Sequence, residues 1–265
     1  MNFLISLPVR NFISRLPRGR GRLAKILAGK TRREIVQLPG LQAGVKMQLD
    51  LGESFQRLMA FGAYQPDLFQ TLGKQVRKQD RVLMAGANIG YVPLALANMG
   101  CRVVCFEADP RNVEVCRQNL ALNPQFDIHL VGAGLSDQAG TLSFWQSDTD
   151  SQSSFAVAHH ATKQVQVAVR AGDEALRELD IQMLDGIVLD VEGWECHALE
   201  GLRQTISSNI PRWAIIECAP WALEGAGKSS ADLHKLIESL GWHVTNPGQE
   251  DLVCIRDSKV PSVPS

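Results

Sequence analysis

LMAGANIGYV, residues 83–92, decides the fold. A short apolar run leads into Gly86, Asn88 and Gly90, and a second apolar run, IGYVPLALANMG (89–100), follows at once. A buried strand, a tight loop and a helix start fit that order, because glycine supplies the turns that other residues resist. In open α/β sheets, ligands bind just beyond the carboxyl ends of such strands.

The pattern repeats outward from this loop. RVLMAG (81–86) reads as the first strand, CRVVCFE (101–107) as the second and FDIHLVGAG (126–134) as the third. LDGIVLDVEG (184–193) holds the fourth and RWAIIECAP (212–220) the fifth. Helices are expected at 89–100, at 109–123 with Asp109 as N-cap and Pro110 at the first position, at 174–181, at 194–206 and at 230–241. WHVTN and DLVCIRD read as two closing strands, antiparallel neighbours. Upstream, 39–55 suggests one or two short strands with a turn, and 55–78 a helix broken between Gly62 and Pro66. TLSFWQ (141–146) and SDTDSQSS (147–154) read as turn-rich, and QVQVAV (164–169) as a strand. Alternation of this kind implies a mostly parallel sheet covered on both faces, with right-handed crossovers.

The bulk numbers agree with one α/β domain plus an extension: 265 residues, 45% hydrophobic and 21% charged. No apolar run approaches the ~18 residues of a spanning helix. The six cysteines form no Cys-x-x-Cys pair, and reduced core residues of a cytosolic protein are expected rather than disulfides or zinc ligands. Residues 1–33 carry nine Lys/Arg and no acid, which leaves the rest of the chain 18 basic against 28 acidic residues, a balance of −10. The opening apolar stretches are interrupted too soon, by Pro8 and Arg10, for a secretory signal. A solvated basic arm and a face lying on an anionic membrane both suit residues 1–33, whereas an acidic body argues against a nucleic-acid partner.

The loop selects among cofactors. A dinucleotide site of this kind wants Gly-x-Gly-x-x-Gly, but the equivalent positions here are Gly86, Asn88 and Tyr91, and no Gly-x-x-x-x-Gly-Lys-Ser loop exists either. A ligand without phosphates fits better, with backbone N–H groups at 89–90 offered to a carboxylate. That describes the amino-acid end of S-adenosylmethionine. Glu107, 17 residues after Gly90 at the end of the second strand, is placed to accept both ribose hydroxyls. Ser136 and Asp137 suit either the adenine edge or simple turn chemistry.

GANIGY, FEADPRN, LSDQAGTLSF with SSF beyond it, and LDVEGWE together resemble the FkbM family of S-adenosylmethionine-dependent methyltransferases. FGAYQPDLF resembles the family's segment before the first strand, and the likeness runs over about residues 50–220. The resemblance implies a Rossmann-like, mostly parallel seven-stranded sheet with an antiparallel last strand, and methyl transfer to a hydroxyl of a sugar, a glycolipid or a secondary metabolite. It also implies Gly86, Ala87, Asn88, Gly90, Tyr91, Glu107, Ser136, Asp137 and Asp190 as the cofactor site. Two positions depart from the pattern: Met84 stands where the family usually has Asp, and Val188 where it often has Lys. The first and fourth strands are neighbours in this fold, so the missing acid and base would have faced each other. Loss of both partners of a buried pair is far less costly than loss of one.

Asp190 and Glu192 lie where the reacting centre belongs. Asp190 is expected to contact cofactor or acceptor, and Glu192 to orient the acceptor or take its proton, unless Glu192 only serves the dipole of the next helix. Glu217, ending the fifth strand, is a further acceptor ligand. The acids at 190, 192 and 217 could share a cation, but no fourth ligand is evident and no metal is expected. His159 and His160 read as loop histidines, and His197, His234 and His243 as surface ones. Acceptor choice is expected from 145–155 and 219–230, with Trp145, Ser154 and Trp221 among its contacts. The organisation expected is a basic arm at 1–36, a cap segment at 37–78, the methyltransferase domain at 79–257 and a tail at 258–265. A cytoplasmic enzyme follows, peripheral at the inner membrane surface if the arm binds there. The contrasting reading is a non-catalytic binding or assembly module that has lost cofactor turnover.

Overall fold

The computed structural model describes residues 6–14, 16, 20–28, 33–147, 155, 161–246 and 250–256. Its strands are β1 (Arg33–Gln37), β2 (Lys46–Asp50), β3 (Arg81–Ala85), β4 (Arg102–Phe106), β5 (Ile128–Val131), β6 (Gly134–Ser136), β7 (Gly140–Ser147), β8 (Ala161–Ala171), β9 (Gly186–Leu189), β10 (Trp213–Glu217), β11 (Trp242–Val244) and β12 (Asp251–Arg256).

Seven of them form one sheet in the order β11-β12-β10-β9-β3-β4-β5. β3, β4, β5, β9 and β10 run parallel, and β12 is antiparallel to both of its neighbours. The alternation of side chains divides the core into two layers. Val82, Met84, Val103, Cys105, Val188 and Ile215 face one layer, with the helices Tyr91–Asn98 and Pro66–Gln75. Leu83, Ala85, Val104, Phe106, Ile187, Leu189 and Ile216 face the other, with the helices Glu195–Gly201 and Ser230–Ser239. Each fully buried Leu, Ile, Val or Met contributes roughly 1.5–3 kcal/mol of transfer free energy. Two-sided burial is why these strands read as unbroken apolar runs.

The sheet order places the switch point between β3 and β9. The crossover from β3 goes outward to β4 and β5, and the chain returns to β9 on the other side. The loops after β3 and β9 therefore face each other across one crevice, the position at which such sheets hold ligands.

Three expectations from sequence are corrected. TLSFWQ, read as turn-rich, lies in β7, which pairs antiparallel with the eleven-residue β8. The third run splits: β5 stays in the main sheet, while β6 leaves it to pair parallel with β8. The helix expected at 194–206 breaks at Leu202 into Glu195–Gly201 and Arg203–Ser208. Gly201 sits so close to the Ser136 carbonyl that a Cβ there would overlap it.

Residues 33–36, taken as the end of the arm, belong to β1, which pairs antiparallel with β2. Side chains of the helix Pro110–Ala121 and its C-terminal extension tie down β2: Gln48 N–H donates to Asn119 Oδ1 at 2.7 Å and Lys46 N–H to Asn123 Oδ1 at 2.9 Å. The arm helices Leu7–Ser14 and Arg20–Ala28 pack on the body, burying Arg10, Ile13 and Ala24. The six cysteines are buried and free. Among the described residues no helix is long and apolar enough to cross a membrane.

Candidate active site

The crevice at the switch point is a cleft open to solvent. Three strand ends build it.

The loop after β3 turns through Gly86 (φ 87°), Asn88 (φ 49°) and Gly90 (φ 94°), all left-handed. At Gly86 the backbone is forced: a Cβ would overlap the carbonyl of Asp190 from the loop after β9. The N–H groups of Gly86 and Ala87 donate to the Phe106 carbonyl. Asn88 N–H donates to Glu107 Oε2 at 2.7 Å, and Asp109 N–H to Glu107 Oε1 at 2.8 Å. Gly90 N–H donates to the Ala87 carbonyl. Of the backbone N–H groups at 89–90 expected to be offered to a ligand, that of Gly90 is therefore spent on closing the loop, as is that of Asn88 before it.

Glu107 is 6% exposed and lines the cleft. Burial raises its carboxyl to about 7 against the opposing pull of the two backbone donors. A carboxylate has about four acceptor positions; two backbone N–H groups and the Asn112 side chain engage it, which leaves capacity for a ligand hydroxyl. Asp109 caps the next helix by accepting from Arg111 N–H at 2.9 Å, as expected from FEADPRN.

The loop after β9 carries Asp190 and Glu192, and β10 ends in Glu217. One carboxyl oxygen of each lies within 4.8 Å of the others. All three are raised by burial first: Asp190 to about 6, with Asp251 the next cause, and Glu192 to about 8 and Glu217 to about 11, with repulsion from Asp190 the next cause for both. Gln65 Nε2 donates weakly to Asp190 Oδ2 at 3.5 Å. Glu217 Oε2 is buried without a partner. The cluster holds protons at neutral pH, with Glu217 the most protonated and Asp190 the least.

Glu192 has φ 52°, a left-handed conformation uncommon outside glycine and Asn/Asp, and lines the cleft. The loop-bracing task belongs to Glu195 instead. Its Oε1 accepts from the N–H groups of Val191 and Gly193, both at 3.2 Å, and it is 1% exposed. That separates the two glutamates of DVEG-x-E: Glu195 supports the turn and Glu192 faces the ligand space. The sequence signal for Glu195 was its place in that run.

The cleft brings together Gly86, Ala87, Asn88, Tyr91, Glu107, Asp190, Glu192 and Glu217 of the expected residues. Gly90 stands behind them as N-cap of the helix Tyr91–Asn98. Others are elsewhere. Ser136 is buried, accepts from Trp194 Nε1 at 3.2 Å and donates to Asp137 Oδ1, while Asp137 faces His197 at 3.6 Å in a separate pocket. Leu135, one residue earlier on β6, is what lines the cleft. Phe144 lines it too, so Trp145, its neighbour on a strand of alternating side chains, points away. Trp221 is 44% exposed on the helix Pro220–Gly225 and outside the lining. Ser154, His159 and His160 lie outside the described residues. Sequence reasoning missed Tyr64 and Gln65 as lining residues, whereas Phe155 falls in the segment 145–155 expected to choose the acceptor. The first two come from the turn before Pro66, which only the packing brings to the cleft.

Met84 and Val188 are register partners on β3 and β9, 1% and 2% exposed, and share one core layer. The two departures from the family pattern thus face each other, as expected.

Comparison with solved structures finds a magnesium protoporphyrin IX methyltransferase of Synechocystis at 14% identity, covering 72% of this chain and 81% of that one with a TM-score of 0.45. A TehB-like SAM-dependent methyltransferase of Corynebacterium glutamicum matches at 16% identity over 76% of this chain and 91% of that one, again with a TM-score of 0.45. No curated protein matches. The family model described as the methyltransferase FkbM domain matches residues 85–244, from the end of β3 through β11. The chain belongs to the FkbM methyltransferase-domain family.

Proposed function

We propose that this protein is an S-adenosylmethionine-dependent methyltransferase acting on a hydroxyl of a sugar, a glycolipid or a secondary metabolite. The observation that carries the reading is one cleft lined by Glu107, with acceptor capacity left for a hydroxyl, and by the carboxyls of Asp190, Glu192 and Glu217. The donor set suits the cofactor: Glu107 for ribose hydroxyls, Phe144 and Phe155 as apolar ring surfaces, and acids for its positive charges. When bound, the cofactor supplies an electron-poor methyl group.

The chain's own residues do the rest. Met59, Val92 and Phe106 among the lining exclude water. Positioning a nucleophile in a dry cleft supplies much of the rate in such reactions. Glu192 takes the hydroxyl proton on a carboxyl oxygen, and a positive ligand nearby lowers its affinity for that proton towards neutral pH, where a general base works best. Protonated Glu217 donates through its Oε2 side to the acceptor, and Asp190 holds the ionised form facing the positive centre. The described lining contains four carboxyls and no Lys, Arg or His, which disfavours a nucleic-acid or phosphate-bearing acceptor. We place the enzyme in the cytoplasm, with residues 1–33 as a peripheral contact at the inner membrane surface.

Met84, which lines the cleft without an acid, favours the second reading: a methyltransferase-like binding module without turnover. Calorimetric titration of S-adenosylmethionine into wild type and Glu107→Ala separates the two. Micromolar binding abolished by the substitution supports the enzyme. Absence of binding up to millimolar cofactor sinks it.

A further inference from the structure

Six large apolar side chains are exposed among the described residues, and three of them, Phe12 (66%), Leu23 (37%) and Ile26 (67%), belong to the two helices before β1. Both helices are fixed by their other sides. In Leu7–Ser14, Arg10 and Ile13 are buried, whereas Pro8 and Phe12, one turn apart on the opposite side, are exposed. Gly40 N–H donates to Asn11 Oδ1 at 3.3 Å, tying this helix to the body. In Arg20–Ala28, Ala24 is fully buried, and Arg22, Leu23, Lys25 and Ile26 are exposed. At about 100° per residue those four occupy one continuous arc opposite Ala24, with Arg22 and Lys25 on one flank and Ile26 and Leu23 on the other.

Charge says what such a face meets. Residues 1–33 hold nine Lys/Arg and no acid, against a balance of −10 for the remainder. A negative surface attracts this end of the molecule and repels the rest. A soluble acidic partner would supply the charge but no apolar bed for Phe12 and Ile26.

We propose that the outer face of these two helices docks the protein on an anionic lipid bilayer, with Phe12, Leu23 and Ile26 entering the interface and Arg22 and Lys25 meeting lipid phosphates. The proposal deepens the reading of residues 1–33 as a peripheral contact, and it needs neither cofactor nor acceptor. Ser14 of the first helix lines a second cavity that shares Tyr64 and Tyr91 with the cleft, so this helix borders a cavity that adjoins the cleft.

Cosedimentation of the full chain with vesicles of phosphatidylcholine, alone or mixed with phosphatidylglycerol, tests this. Binding is expected to the mixed vesicles, to weaken with added salt, and to be absent on phosphatidylcholine alone. Each basic side chain near such a surface is worth about fivefold in partition, so Arg22→Gln/Lys25→Gln is expected to bind about 25-fold more weakly. Phe12→Ser/Ile26→Ser is expected to lose binding to a similar degree. All four side chains are exposed, so both double variants keep the wild-type melting temperature, which is measured alongside. The proposal is overturned by no binding to mixed vesicles, by equal binding to neutral ones, or by folded double variants that bind like wild type. Methyl transfer plays no part in the assay, so its failure and the failure of the cofactor titration are separate results.

Discussion

Restoring the acid and base that the family usually carries tests whether Met84 and Val188 changed as a pair. The two are directly opposed on β3 and β9, and both are almost wholly buried in one core layer. Met84→Asp alone places an unpaired carboxylate there, which costs about 3–5 kcal/mol, as does the ammonium of Val188→Lys alone. Independent effects would add to about 6–10 kcal/mol, comparable with the whole stability of a domain. The double substitution creates an ion pair instead. Exchanging well-packed apolar residues for a buried ion pair costs about 1–4 kcal/mol, so the double variant is expected to be about as stable as either single variant, or more so. The coupling is then at least about 2 kcal/mol in favour of the pair. Urea unfolding of the four proteins measures it, and a single variant that fails to fold while the double folds is the same result in stronger form. Addition of the two single effects to within about 0.5 kcal/mol refutes the argument, because residues in contact should couple. Met84 also lines the cleft, so the double variant is expected to bind S-adenosylmethionine more tightly than wild type through the added carboxylate.

The carboxyl cluster predicts an inverted pH profile of stability. Glu217 is raised from 4.5 to about 11, so above pH 4.5 the folded protein holds a proton that the unfolded chain releases. Stability from this group is complete below about 4.5 and falls as pH rises towards its folded pKa. Glu217→Gln, which keeps the protonated shape, is expected to be close to wild type at pH 5 and to exceed it by several kcal/mol at pH 9; equal stabilities at pH 9 by chemical denaturation would show that the raised carboxyl is not there. Gly86→Ala is expected to cost more than about 2 kcal/mol and to abolish cofactor binding, because its Cβ meets the Asp190 carbonyl and its φ of 87° disfavours any side chain. A variant with wild-type melting and wild-type binding would contradict the crossing of the two loops.

Much of this was legible along the chain. The strands with two buried faces announced themselves as continuous apolar runs, and Asp109 with Pro110 announced a helix start that the structure confirms with a side-chain cap. The acids closing β4, β9 and β10 stood out because polar residues at the ends of such runs have little structural reason to be there. Less legible was anything set by side-chain alternation or by distant partners. Trp145 and Phe144 are adjacent in sequence, yet the strand turns only Phe144 into the cleft. Ser136 and Asp137 are both polar and both follow the third run, but Trp194 and His197 from a distant helix and its N-cap engage them instead. TLSFWQ showed its strand character only once β8 was beside it.

Local chemistry therefore determined the main-sheet strands and most helices, the class of sheet, the loop that turns through Gly86 and Gly90, and the basic character of the first 33 residues. Tertiary structure decided which carboxyls share protons, because Asp190, Glu192 and Glu217 come from two strands and their spacing of under 4.8 Å exists only in the sheet. It also gave Glu195 the bracing of the turn and Glu192 the cleft, a division that two acids of one motif cannot reveal by order alone. Periodicity records which face of an element is buried. What covers that face, and which strand ends meet there, depends on the strand order of the sheet, and that is fixed only when the two core layers close.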